Sequence, residues 1–146
     1  MKREPLRRAL RVQRRAARQG FDWPARDPRL WHKLAEEIGE LRRVRHQPAL
    51  AVDELGDLLF MVVNLARHLR VDPAAALARA IAKFERRYAH VERHARGLPR
   101  RGDPRRLVAM EELWQDAKRL ERAKARAKVA RQGVTRGQPD AHRSRR

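Results

Sequence analysis

Apolar residues recur along this chain at three- and four-residue steps, the period of one face of an α-helix. The runs predict five helices. The first covers about Pro5 to Gln19, marked by Leu6, Leu10 and Val12, and ends at Gly20. Phe21-Asp22-Trp23-Pro24 follows as an extended, aromatic link. The second covers about Pro28 to Arg45, with Leu30, Leu34, Ile38 and Leu41 on one face and Trp31 beside them. The third covers about Ala49 to Arg70 after a short link through His46 and Gln47. A link this short makes helices two and three antiparallel neighbours.

Asp72-Pro73 opens a fourth helix to about Arg96, whose expected inner stripe is Leu77, Ile81, Phe84, Tyr88 and Val91. Asp103-Pro104 opens a fifth, with Leu107, Met110, Leu113, Trp114, Ala117 and Leu120 expected to face inward. In each Asp-Pro start, as at Asp27-Pro28, the carboxylate can accept from free amides. Proline fits the first turn because its missing N–H needs no partner there. Leu58 to Val63 is apolar on every side. Such a helix is expected to be buried all round, and in a chain this small that burial calls for a second subunit. From about Arg131 the periodicity fails and Gly, Pro, Gln, Ser and Arg take over. The expectation is one helical domain over 1–128 and a basic, disordered tail over 129–146.

Composition supports the all-α class. Ala, Leu, Arg and Glu dominate, and aromatic residues make up only 5%. With no cysteine, disulfides and thiolate-bound zinc are excluded, which fits a reducing compartment. Met1 to Gln19 lacks the apolar stretch of a secretion signal. The longest apolar run falls far short of the ~20 residues that cross a bilayer. A soluble, cytoplasmic protein that makes no use of a membrane is therefore expected.

The net charge of +19 raises the question of nucleic acid. Eleven Lys/Arg against two acids lie between Lys118 and Arg146. Nucleic acid could bind through that basic tail, but a solubilising tail is the favoured reading.

Against this basic background the acids are clustered. Glu36, Glu37, Glu40, Asp53, Glu54 and Asp57 are six of the eighteen acids and fall between positions 36 and 57. Glu37 and Glu40 are three apart, as are Glu54 and Asp57, so each pair shares a helix face. One such pair is ordinarily a solvated face. Two pairs on adjacent antiparallel helices bring four carboxylates together, and a hard divalent cation relieves their repulsion. Mg²⁺ also accepts phosphate oxygens, so a phosphorylated substrate fits such a site.

Glu36-Glu37-Ile38-Gly39-Glu40, thirteen residues, then Glu54-Leu55-Gly56-Asp57 resembles the EExxE…ExxD signature of the all-α nucleoside triphosphate pyrophosphohydrolases. The closer resemblance is to the MazG family, in particular its catalytic C-terminal domain. Supporting stretches are Val12 to Arg15, Gly20 to Trp23, Asp53 to Phe60, Val63 to Leu69, Lys83 to Arg87 and Met110 to Trp114. The resemblance implies hydrolysis of a nucleoside triphosphate to the monophosphate and pyrophosphate with Mg²⁺, for which Mn²⁺ could substitute. It also implies a homodimer and a role in clearing non-standard nucleotides.

By the same resemblance Glu37, Glu40, Glu54 and Asp57 are metal ligands, and Glu36 joins Glu37 and Glu40 in catalysis. Lys33, Asp53, Lys83, Arg87 and Trp114 contact the nucleotide. Lys83 and Arg87 lie four apart and suit a polyphosphate. Trp114 could equally be core, and Asn64, in a buried run, is expected to be hydrogen-bonded. The chain departs from the family at Ile81, where Asn is common, and at Leu50, where Lys is frequent. Gly39 also stands where a better helix former is usual. The alternative functions are a MazG-like scaffold that binds nucleic acid, or one that senses nucleotides without turning them over.

Overall fold

A computed structural model describes residues 4–135, with side chains described as far as Arg131. The described residues form five α-helices and one short 3-10 turn, without a strand. The helices are α1 (Pro5–Arg18), α2 (Arg29–Val44), α3 (Pro48–His68), α4 (Pro73–Arg93) and α5 (Pro104–Thr135), with the turn at Ala95–Gly97. The all-α expectation is borne out, and the helix ends fall close to the expected positions. Helix α5 continues through Thr135, past the point where the apolar period stops. The rest of the expected tail, residues 136–146, lies outside the described residues.

The three Asp-Pro starts work as local chemistry dictates. Asp72 Oδ1 accepts from the amides of Ala74 and Ala75 at 2.8 and 3.2 Å. Asp27 Oδ1 accepts from the amide of Arg29, and Asp103 Oδ1 from that of Arg105. Arg29 and Arg105 then fold back on the same carboxylates, at 2.6 and 2.7 Å.

Helices α1 and α3 end alike. After α1 the chain turns through Gly20 at φ 85°, and Phe21 N–H reaches back to Ala16 O at 3.1 Å. After α3 the same left-handed position is held by Arg70 at φ 58°, with Val71 N–H on Ala66 O at 2.9 Å. A glycine there is free of the Cβ strain that Arg70 carries.

The chain divides into two compact units, Met1–Ala80 and Ile81–Arg146. In the first, α2 and α3 pack along each other as the short turn through Gln47 requires, and α1 lies against α3. Leu10, Leu30, Met61, Val63 and Ala74 are its buried apolar residues. Gln13, buried among them, donates from Nε2 to Phe60 O at 2.8 Å and ties α1 to α3. The link after α1 is fixed by charge. Arg67 Nη1 donates to Asp22 Oδ2 at 2.8 Å, while Arg67 Nη2 donates to Asn64 Oδ1 at 2.7 Å. Asn64 is thus satisfied within the chain, as a half-buried amide must be.

In the second unit Val91 and Ala117 are buried. Phe84 stacks on Tyr88, with ring centroids 5.8 Å apart, and tilts against Trp114 at 5.1 Å.

Within the single chain the Leu58–Val63 run is buried only in part. Met61 and Val63 are buried, but Leu59, Phe60 and Val62 stay 45–51% exposed. The stripe on α4 differs more: Val91 is buried, while Leu77, Ile81, Phe84 and Tyr88 are exposed. On α5 Ala117 is buried, but Leu107 and Leu120 are exposed. The helices carry more apolar surface than the chain itself covers.

The Arg67 hydrogen bond, assisted by His68, holds Asp22 below the ordinary carboxylate value of 3.8. A carboxylate with a depressed folded value stabilises the fold above its unfolded value and loses that contribution as pH falls through the folded one. Asp22→Asn should cost about 1–2 kcal/mol at neutral pH. The gap from the native chain should close as pH drops below 3.8, as followed by urea unfolding at several pH values.

Candidate metal centre

The site begins with the phase of two helices. Glu37 lies on the face of α2 that packs toward α3, and α3 presents Glu54 and Asp57 one turn apart. Glu37, Glu54 and Asp57 each offer a carboxylate oxygen, and the three oxygens lie within 4.8 Å of one another. Glu37 is buried, Glu54 half-buried and Asp57 exposed, so the group opens to solvent on the α3 side.

Burying Glu37 is costly unless its charge is met. Lys33, one turn earlier on α2, meets it with Nζ 2.8 Å from Glu37 Oε1. The same Nζ lies 2.8 Å from Glu36 Oε1. The bond to Glu36, then that to Glu37, raises the lysine well above its ordinary value and keeps it charged. Glu36 itself is exposed and reaches the group only through Lys33.

Glu40 stands outside the group of three. Its Oε1 lies 3.4 Å from Arg43 Nη2. Arg43 is as far from Glu40 along the helix as Glu37 is, and as a cation it attracts the carboxylate that Glu37 repels. Asp53 is exposed. Gly39 sits between Glu37 and Glu40, and a Cβ there would meet only the end of the Arg43 side chain, at 3.7 Å.

The remaining expected residues lie in the second unit. Arg87 Nε donates to Glu121 Oε2 at 2.8 Å, and its guanidinium lies 5.6 Å from the Trp114 ring centroid. The Arg87 bond pulls Glu121 below its ordinary value. Trp114 is half-buried between Phe84 and Arg87, so it acts both as packing and as a platform for the cation. Lys83 is exposed on α4. Of the two departures, Ile81 is 49% exposed and Leu50 50%.

Two contributors escaped the sequence reading. Glu121 follows Trp114 by two helical turns, which places it on the same face of α5. Gln13 breaks the inward stripe of α1 as its one polar member, a signal that a buried hydrogen bond was needed.

The donor set suits a hard cation. Hard divalent cations select carboxylate oxygens, and no soft sulfur or imidazole donor is in the group. Fold and site together define an all-α protein with a carboxylate group, able to hold a divalent cation, shared by two antiparallel helices.

Residues 27–92 match the MazG nucleotide pyrophosphohydrolase domain. All three grouped carboxylates fall inside the match. The chain is 44% identical over 121 residues to the nucleoside triphosphate pyrophosphohydrolase of Escherichia coli K12, covering 80% of this chain and 45% of the relative. It is 39% identical over 116 residues to the nucleoside triphosphate pyrophosphohydrolase/pyrophosphatase MazG of Thermotoga maritima, covering 77% of this chain and 44% of that one. The chain thus spans less than half the length of these relatives. No helix among the described residues is long and apolar enough to cross a membrane.

If the three carboxylates hold the cation, Mg²⁺ should stabilise the fold. At about 100 times its Kd the gain is ~2.7 kcal/mol. It should appear as a rise in melting temperature that Asp57→Asn reduces or removes.

Proposed function

We propose that this chain is a Mg²⁺-dependent hydrolase that cleaves nucleoside triphosphates to the monophosphate and pyrophosphate. One observation carries the reading. Glu37, Glu54 and Asp57 converge, and they do so inside the segment that matches the MazG domain. The names of the relatives support the substrate class.

A divalent ion held there would neutralise phosphate charge and lower the pKa of a bound water. The chain's own residues supply the rest. Glu37, with little freedom to move, orients the group, and Lys33 offsets its charge until the cation and substrate phosphates enter. Glu36, exposed beside Lys33, is placed to accept a proton from water. Glu40, one turn further along α2, would complete the set if it were released from Arg43.

In the second unit Lys83 and Arg87 serve the phosphates and Trp114 the nucleoside. Glu121 holds Arg87 through Nε and leaves the terminal nitrogens of its fork for phosphate. Asp53, next to Glu54, contributes to nucleotide contact from α3. Residues 1–128 act as one functional domain, and a role in removing non-standard nucleotides from the cytoplasm fits the activity.

Colourimetric detection of pyrophosphate tests the reaction. Release should require Mg²⁺, or Mn²⁺ in its place. Glu37→Ala and Asp57→Ala should each lower it by more than the ~10–100-fold typical of losing a group that merely supports a metal ligand. Undiminished turnover in both variants would remove the site from the reaction.

The working form is a homodimer. Val52, Leu55, Leu59 and Val62 follow one another at steps of three, four and three, which makes one apolar stripe on α3. All four are 45–70% exposed. An apolar stripe this continuous is an association surface in a water-soluble protein. Light scattering should give twice the 17.1 kDa chain mass, and Leu59→Glu should shift the population to monomer. A native mass of 17.1 kDa at every concentration would exclude the dimer.

A further inference from the structure

Helix α1 is the most one-sidedly charged element of the first unit. Its 14 residues carry arginines at 7, 8, 11, 14, 15 and 18 and no acid. Only Arg7 has a carboxylate, that of Glu4 just before the helix, at 3.3 Å. The other five line an open hollow of about 1050 Å³ together with Pro5 and Val12. No side-chain partner holds any of the five among the described residues. Elsewhere in the unit Arg29, Arg43 and Arg67 each rest on an acid.

The spacing is regular. Arg8, Arg11, Arg15 and Arg18 follow at steps of three, four and three, so they form one stripe along the helix. At 1.5 Å per residue the stripe is about 15 Å long, with a guanidinium at each turn. The support beneath it is fixed. Leu10 and Gln13 are buried on the opposite face, and Gln13 is bonded to the Phe60 carbonyl. Like charges one turn apart repel, and nothing within α1 offsets that cost.

We propose that this stripe is a binding surface for the phosphodiester backbone of a nucleic acid, separate from the carboxylate group of α2 and α3. Every cation on it is arginine, whose planar fork matches phosphate with two parallel hydrogen bonds. A row of cations one turn apart suits a polyanion with a charge at each repeat. Neutralising the row releases the counterions condensed on the strand, which supplies the binding free energy. A lipid surface fits less well. Insertion requires apolar side chains beside the cations, and α1 turns Leu10 inward and leaves only Pro5 and Val12, the latter 40% exposed, at the hollow.

The test uses the full chain and a short fluorescein-labelled single-stranded RNA, with anisotropy followed across a KCl titration. Native protein should bind at low salt with a steep log–log slope. The fourfold variant Arg8→Gln/Arg11→Gln/Arg15→Gln/Arg18→Gln should reduce that slope by about 3, at ~0.7 per lost contact to a single strand. The matching fourfold Arg→Lys variant should keep the slope and lose affinity, since charge remains and the fork does not. Circular dichroism confirms that both variants keep their helices. Single-stranded DNA of the same sequence should give the native slope, because backbone charge sets it.

No binding by the native chain at low salt would overturn the proposal. So would a slope unchanged in a folded Gln variant, or binding that disappears on removing residues 136–146 with the stripe intact. Loss of binding to phosphatidylserine vesicles in the Gln variant without loss of RNA binding would assign the stripe to lipid instead.

Discussion

The site depends on one buried charge. Glu37 is nearly closed off from solvent, between α2 and α3, and a carboxylate in that position is tolerated only while a cation faces it. Lys33 provides that cation from within α2. Glu37 lies on the face of α2 that packs toward α3, and that face sets where Glu54 and Asp57 must stand to complete a group. The short turn through Gln47 does the rest, because it leaves the two helices no choice but to run side by side. A site built this way resists drift: its residues come from two packed helices and not from a loop.

Lys33 also offers a graded way to admit a metal. Its ammonium is bonded to both Glu36 and Glu37 and remains charged. A divalent ion bound to Glu37 would take the place of this cation, which would keep the carboxylate's charge matched. Glu36, on the solvent side, would keep the lysine near by if it left Glu37. Arg87 shows the same economy in the second unit: Glu121 and the Trp114 face hold its position while part of the fork stays available.

What was legible in the sequence was what local chemistry decides. The Asp-Pro starts at 27, 72 and 103 specify helix beginnings through contacts within three residues, and all three formed. The pairing of Glu54 with Asp57, and its approach to Glu37, followed from helical phase and one short turn. Glu40 was harder to place, because its position turns on whether Glu37 or Arg43 governs it, and both are one turn away. Glu121 was missed because its partner Arg87 is remote in sequence. The apolar run of α3 and the stripe of α4 were visible in the sequence, but periodicity does not say what covers them, and the single chain leaves much of both exposed. The division at Ala80–Ile81 falls within α4, where no glycine, proline or change of composition marks it.

The central claim is that Glu37, Glu54 and Asp57 hold one divalent cation. Anomalous diffraction from crystals soaked in Mn²⁺ tests it most directly. The account predicts a single strong peak within coordinating distance of all three carboxylates, with the Lys33 ammonium moved off Glu37. A peak bound elsewhere, or none at this group while Lys33 still bridges Glu36 and Glu37, would contradict it.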